Sequence, residues 1–96
     1  FLDASGNILL LFSDGEDAGV VINPGAWTHS SIPLRDAVAG LRAKVVEVHL
    51  SHTYAREAFR RVSLLAPFTK GTISGMGWLG YRFAMEALLV EAADIP

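Results

Sequence analysis

Two short β-branched runs constrain this chain more than any other feature: Val20-Val21-Ile22 and Val45-Val46-Glu47-Val48-His49-Leu50. Apolar runs of this length and composition read as strands buried on both faces of a parallel sheet. Between them, Ser30 and Ser31 offer a helix N-cap, Pro33 suits the first turn, and Ile32, Ala37, Val38 and Leu41 recur at near-helical spacing. The result is a βαβ unit. Downstream, Ser51 to Thr53 supply caps for a basic helical segment over 55–61, closed off by Pro67, and Thr69 to Ser74 reads as a third strand. Gly75-Met76-Gly77 then makes a tight turn into a last helix from about Trp78 to Ala92, with Leu79, Phe83, Ala87 and Val90 on one face and Leu88 and Leu89 beside it. Repeating strand and helix predicts an open α/β sheet with right-handed crossovers. Upstream of Val20 the pattern is poor, and 6–12 fits a short helix or a strand.

Composition narrows the class. The chain has 96 residues, 51% of them apolar and 19% charged, an oily balance for one small domain. Small domains leave a large share of their surface exposed, so the apolar surplus, together with Phe1 in place of an initiator Met, leads us to expect a close oligomer or a missing piece. The longest apolar run, Ile8 to Phe12, is far short of the ~20 residues that span a bilayer. It also lacks the basic lead-in and cleavage pattern of a signal peptide. With no cysteine there is no disulfide framework and no thiolate metal site, and a cytoplasmic location is the default expectation. Net charge is −2, but residues 1–19 hold four acids (Asp3, Asp14, Glu16, Asp17) and no base, while 35–61 hold six of the eight bases (Arg35, Arg42, Lys44, Arg56, Arg60, Arg61). No stripe of interleaved aromatics accompanies that basic middle, so a small anionic ligand fits better than nucleic acid.

In an open parallel sheet, ligands bind outside the carboxyl ends of the strands. Here those ends are unusually polar, running Asn23-Pro24-Gly25-Ala26-Trp27-Thr28-His29-Ser30-Ser31 after the first strand and Glu47-Val48-His49-Leu50-Ser51 along and after the second. Both carry a histidine and lead toward a helix N-terminus, which favours an anion. Glu47 and His49 lie two apart on one strand and share a face. A carboxylate beside an imidazole raises its pKa and fixes its tautomer, as suits a general acid near neutral pH. The competing reading is a structural pair at the end of a sheet. His29, His49 and His52 lack a recognised zinc-ligand spacing, and neither Ser31 nor Ser51 sits in a nucleophile elbow. Arg56 and Arg60, one turn apart on the expected helix, share a face that either folds back over the pocket or is simply solvated. Tyr54 and Tyr81 read as packing residues.

Taken together, 22–31, Leu34-Arg35-Asp36-Ala37, 47–51, Ala55-Arg56-Glu57, Phe59-Arg60, Gly71, Ile73, Gly75-Met76-Gly77 and Gly80-Tyr81 strongly resemble the type II 3-dehydroquinate dehydratases. The resemblance runs from about Gly19 to Leu89, so we read 1–18 as an atypical amino-terminal segment and 19–96 as a partial domain of that type. It implies a flavodoxin-like, three-layer α/β/α fold with a parallel sheet. The implied activity is dehydration of 3-dehydroquinate to 3-dehydroshikimate in the shikimate pathway, without metal or cofactor. In the family a tyrosine removes a proton beside the ketone, an enolate forms, and a histidine protonates the departing hydroxyl. By position His49 resembles that general acid and Glu47 its orienting carboxylate. Asn23 and His29 resemble the substrate-binding pair, Arg60 the arginine that holds the ring hydroxyls, and the amides of Leu50 and Ser51 the carboxylate site. Asp36 resembles the residue contributed across a subunit contact, which implies trimers assembling into dodecamers.

The departures from the family pattern are as specific. The strand ending in a G-P-N-L-N type motif, and the loop carrying the tyrosine base and a transition-state arginine, have no counterpart in this sequence, nor do the helix and strand that follow them. Residues 4–12 resemble a degraded start of the family's second helix. His52, Tyr54 and Val62 stand where asparagine, histidine and a polar residue are usual. The expected function is therefore the dehydratase. The rival expectations are an impaired relative or truncated subunit that keeps the pocket or the oligomer contact, and a flavodoxin-like module for another small anion.

Overall fold

In a computed structural model of the chain, the backbone is described for residues 9–14 and 17–90, and side-chain surroundings for 19–90. Four strands, β1 (Leu9–Asp14), β2 (Asp17–Ile22), β3 (Lys44–His49) and β4 (Gly71–Ser74), form one sheet in the order β1-β2-β3-β4. β2, β3 and β4 are parallel, as expected for strands joined by crossovers, with Ile22 opposite Glu47 and His49 opposite Ser74. β1 runs antiparallel to β2, Leu9 facing Ile22 and Asp14 facing Asp17. The helix start expected over 4–12 is thus replaced by a strand from Leu9 onward, while its first five residues lie outside the described ones. Without β1, the outer edge of β2 would present unpaired backbone groups, and a strand pairs with them where a helix cannot.

Alternation along the strands divides the core between two faces. Val20 and Val45 pack with Val38 and Leu65 on one face; Val21, Val46 and Val48 pack with Ala84 on the other. Helix α1 (Ile32–Ala39) covers the first and helix α2 (Leu79–Leu89) the second, giving the expected three-layer α/β/α arrangement with a parallel core to its sheet. Because the strand period is two, Glu47 and His49 share the face of Val45.

Helix α1 starts where the sequence predicts. The Ser31 side chain accepts from the Leu34 amide at 3.1 Å and Pro33 occupies the first turn. Its buried seam is Val38 with Leu34, whereas Ile32 and Leu41, expected on the core face, are about half exposed. The expected basic helix over 55–61 is instead two 3-10 turns, Thr53–Ala55 and Ala58–Arg61, with Arg56 extended between them. The second turn buries no residue, and so short a segment without an apolar seam lacks the packing that sustains a helix.

Helix α2 also corrects the expected face. Gly80 and Ala84 are its buried residues, flanked by Tyr81 and Leu88, while Leu79 and Phe83 remain 38% and 41% exposed. The hydrophobic pattern marks the bulkier stripe, but close approach to the sheet selects the smaller one. The helix ends at Leu89; Glu91 and Ala92 lie outside the described residues. Gly75 and Gly77 both take positive φ, +88° and +56°, confirming the tight turn before α2. A Cβ on Gly80 would lie 3.0 Å from Val48 Cγ1 and 3.4 Å from Ile73 Cγ2. Gly80→Leu should therefore overpack the α2 face and lower stability by about 1–3 kcal/mol, read as a lower urea midpoint.

Candidate active site

The carboxyl ends of β2 and β3 open into a cleft of ≈ 240 Å³ whose walls include Asn23, His29, His49, Leu50, Ser51 and Arg60. Every candidate site residue from the sequence except Glu47 and Asp36 lines it, and Arg56 joins them. Glu47, 1% exposed, borders an adjoining cavity of ≈ 340 Å³ that shares His49 and Arg60 with the cleft. Asp36 is outside: it projects from α1, 64% exposed, and pairs with Arg35 at 2.9 Å.

Glu47 holds the site together. Its Oε2 accepts from His49 Nε2 at 2.5 Å and from Thr28 Oγ1 at 2.9 Å, and its Oε1 accepts from Ser63 Oγ at 2.6 Å. Burial by itself pushes this carboxyl upward and is the largest single influence, but hydrogen bonds from His49, Ser63 and Thr28 together hold it below its ordinary 4.5. A folded-state pKa below the unfolded one contributes stability that is complete above about pH 4.5 and is lost as pH falls below it. Urea midpoints measured from pH 7 to pH 3 should fall on the acid side, and Glu47→Gln should flatten part of that fall.

Because Nε2 of His49 is committed to the carboxylate, it carries a proton, and Nδ1 is the nitrogen left for a ligand. The His29 ring stacks on that of His49, centroids 6.4 Å apart and planes 14° from parallel, and packs edge-on against Phe59. His29 Nδ1 lies 2.6 Å from the Val62 carbonyl, which can only accept, so Nδ1 is the protonated nitrogen and Nε2 is the one left for a ligand. The Asn23 side chain is fixed from both ends: Oδ1 accepts from the Gly25 amide at 3.1 Å, and Nδ2 donates to Tyr81 Oη at 2.9 Å. Arg60 lies over the Phe59 ring at 4.7 Å, with Nε held by Glu57 at 2.5 Å. Its side chain is 22% exposed and borders the cleft. Arg60 thus brings a guanidinium, paired at Nε with Glu57, to the border of the cleft.

Thr28, Ser63 and Tyr81 contact the candidate residues, and the sequence did not single them out. Thr28 stands in the polar run after β2, and its burial at 1% exposure is the only local hint, visible once the fold is known. Ser63 carries no sequence signal, since it reaches Glu47 from a turn sixteen residues away. Tyr81, read as a packing residue, does pack on the α2 face while also accepting from Asn23. Among the described residues, no group of three His, Cys, Asp or Glu side chains converges as metal ligands. No described helix is long and apolar enough to cross a membrane.

Fold and site together define an α/β domain with a cleft at its strand ends, bordered by Arg56 and Arg60 and built around a carboxylate-oriented histidine. Residues 7–89 match the family model of class II dehydroquinases. The 3-dehydroquinate dehydratase of Halalkalibacterium halodurans is 53% identical over 77 residues, covering 80% of this chain and 53% of that protein. The 3-dehydroquinate dehydratase 2 of Pseudomonas aeruginosa is 57% identical over 72 residues, covering 75% and 49%. The crystal structure of the type II dehydroquinase of Butyrivibrio crossotus superposes with a TM-score of 0.74 at 45% identity, covering 80% of this chain and 53% of that one. The chain belongs to the class II dehydroquinase family. It spans about half the length of the curated relatives it matches.

Proposed function

We propose that the chain acts in 3-dehydroquinate dehydration, the anti elimination of water through an enolate to give 3-dehydroshikimate, and that it supplies the acid and binding half of that site. The observation that carries this reading is the Glu47–His49 pair beside a cleft bordered by Arg60, Asn23 and His29. In the reaction, a base outside this half of the site takes up the proton beside the ketone, and the electron pair of that C–H bond passes into the enolate. Collapse of the enolate breaks the C–O bond, and the proton on His49 Nδ1 leaves with the hydroxyl as water. The buried carboxylate stabilises the imidazolium before transfer and keeps Nε2 protonated afterwards. Arg60 and the strand-end amides of Leu50 and Ser51 hold the hydroxyls and carboxylate of the substrate.

The shikimate-pathway role, a cytoplasmic location and a homo-oligomer of trimers assembling to a dodecamer belong to the same proposal. Asp36 supports the last of these, since it is exposed on α1 and outside the cleft of its own chain. Several large apolar side chains are also exposed, Trp78 at 71% and Leu89 at 69% among them. Surfaces of that kind suit contact between copies.

A second reading is favoured by the cleft lining itself. Among the described residues that border it, the titratable side chains are His29, His49, Arg56 and Arg60, a set that suits a subunit or relative that binds without turning over. Incubation with 3-dehydroquinate and an added general base such as imidazole in place of the missing one, followed by the absorbance of the enone product, separates the two. Growth in absorbance that disappears in His49→Ala supports dehydration. Binding without growth supports the second reading, and neither binding nor growth contradicts both.

A further inference from the structure

The turn at 62–66 touches everything that positions the two histidines. The Val62 carbonyl accepts from His29 Nδ1 at 2.6 Å, the Leu64 amide donates to the Thr28 carbonyl at 2.8 Å, and Ser63 Oγ reaches Glu47. A hydroxyl has one proton and two lone pairs. At Ser63 the amides of Leu65 and Ala66 donate to the oxygen at 3.2 and 3.0 Å, which occupies both lone pairs. Thr28 Oγ1 also lies 2.9 Å from Ser63 Oγ, but its own proton serves Glu47 Oε2, so two acceptors face the Ser63 proton and the shorter, charged contact to Glu47 Oε1 at 2.6 Å takes it. Two amides drawing on the oxygen also strengthen it as a donor. Glu47 Oε2 meanwhile serves Thr28 and His49, so the carboxylate cannot turn about its last bond without breaking contacts at both oxygens.

We propose that Ser63 is a positioning residue of this site: as a donor to Glu47, tied also to Thr28, it locks the carboxylate, and through it the ring orientation and tautomer of His49. The inference deepens the acid-pair reading and rests on it. Ser63 touches no substrate; it acts through Glu47. It also makes the 62–66 turn a single clamp that registers His29 against His49, so one segment sets both walls of the cleft.

The test is NMR titration of the chain itself, following the Glu47 carboxyl carbon and the histidine ring nitrogens. In Ser63→Ala the Glu47 midpoint should rise by about 1 pH unit, and neutral His49 should change from a single Nε2–H form to a mixture of tautomers. His52, which packs beside Tyr54 and Gly75, serves as the internal control, and its ring signals should match those of the native chain. Ser63→Thr keeps the hydroxyl and should behave as the native chain. If Ser63→Ala does not fold, Ser63→Cys, with a weaker donor of similar shape, should move Glu47 in the same direction by less. An unchanged Glu47 midpoint and His49 tautomer in a folded Ala or Cys variant would overturn the proposal, as would a folded Thr variant that matches Ala. Turnover does not enter this readout, so failure to convert 3-dehydroquinate would count against the proposed function and leave this test standing.

Discussion

Glu47→Ala should be the most destabilising single substitution in the site, lowering stability by about 3–5 kcal/mol. The carboxylate is buried and takes hydrogen bonds from Thr28, Ser63 and His49. Its removal strands three donors and leaves a void where the β3 face meets the 62–66 turn. Small domains have total stabilities of roughly 5–15 kcal/mol, so a loss of this size removes from about a fifth to all of the total and lowers the urea midpoint in proportion. Glu47→Gln keeps the shape and one acceptor oxygen and should cost about 1–2 kcal/mol. A Glu47→Ala midpoint within error of the native chain would show that the hydrogen bonds at this carboxylate contribute nothing net.

The second large effect is on chemistry. Under the proposed function, His49→Ala should lower 3-dehydroquinate turnover by ~10²–10⁴-fold, the usual contribution of a positioned general acid. Substrate affinity should change far less, since Arg60, Asn23 and His29 remain. The split matters. A loss of binding equal to the loss of turnover would make His49 a binding residue, whereas a loss confined to turnover places its proton in the transition state.

Much of this site was legible from single-residue spacing. Glu47 and His49 two apart on a strand must share a face, and Ser31 before Ile32-Pro33 marks a helix start whatever surrounds it. Both follow from local geometry, and the structure keeps both. The parallel core of the sheet followed from β-branched runs alternating with helical segments. What escaped depends on tertiary contact. β1 pairs with β2 because that edge of the sheet is open, and nothing within 9–14 encodes the direction of the pairing. The α2 face was misassigned because hydrophobicity ranks Leu79 and Phe83 above Gly80 and Ala84, whereas the sheet admits only the smaller pair. The turns over 53–61 replace a helix for want of an apolar seam, a property of the neighbours rather than of the segment. Ser63 and Thr28 became visible only when the fold delivered them to Glu47.

The central claim is that one cleft gathers the acid and binding groups for 3-dehydroquinate. The direct measurement is titration of the isotopically labelled chain with that compound, followed by NMR. Saturable shifts are expected at Asn23, His29, His49, Leu50 and Ser51, greatly weakened in Arg60→Met. Shifts that fail to saturate, or that appear away from the carboxyl ends of β2 and β3 while these residues stay still, would contradict that claim.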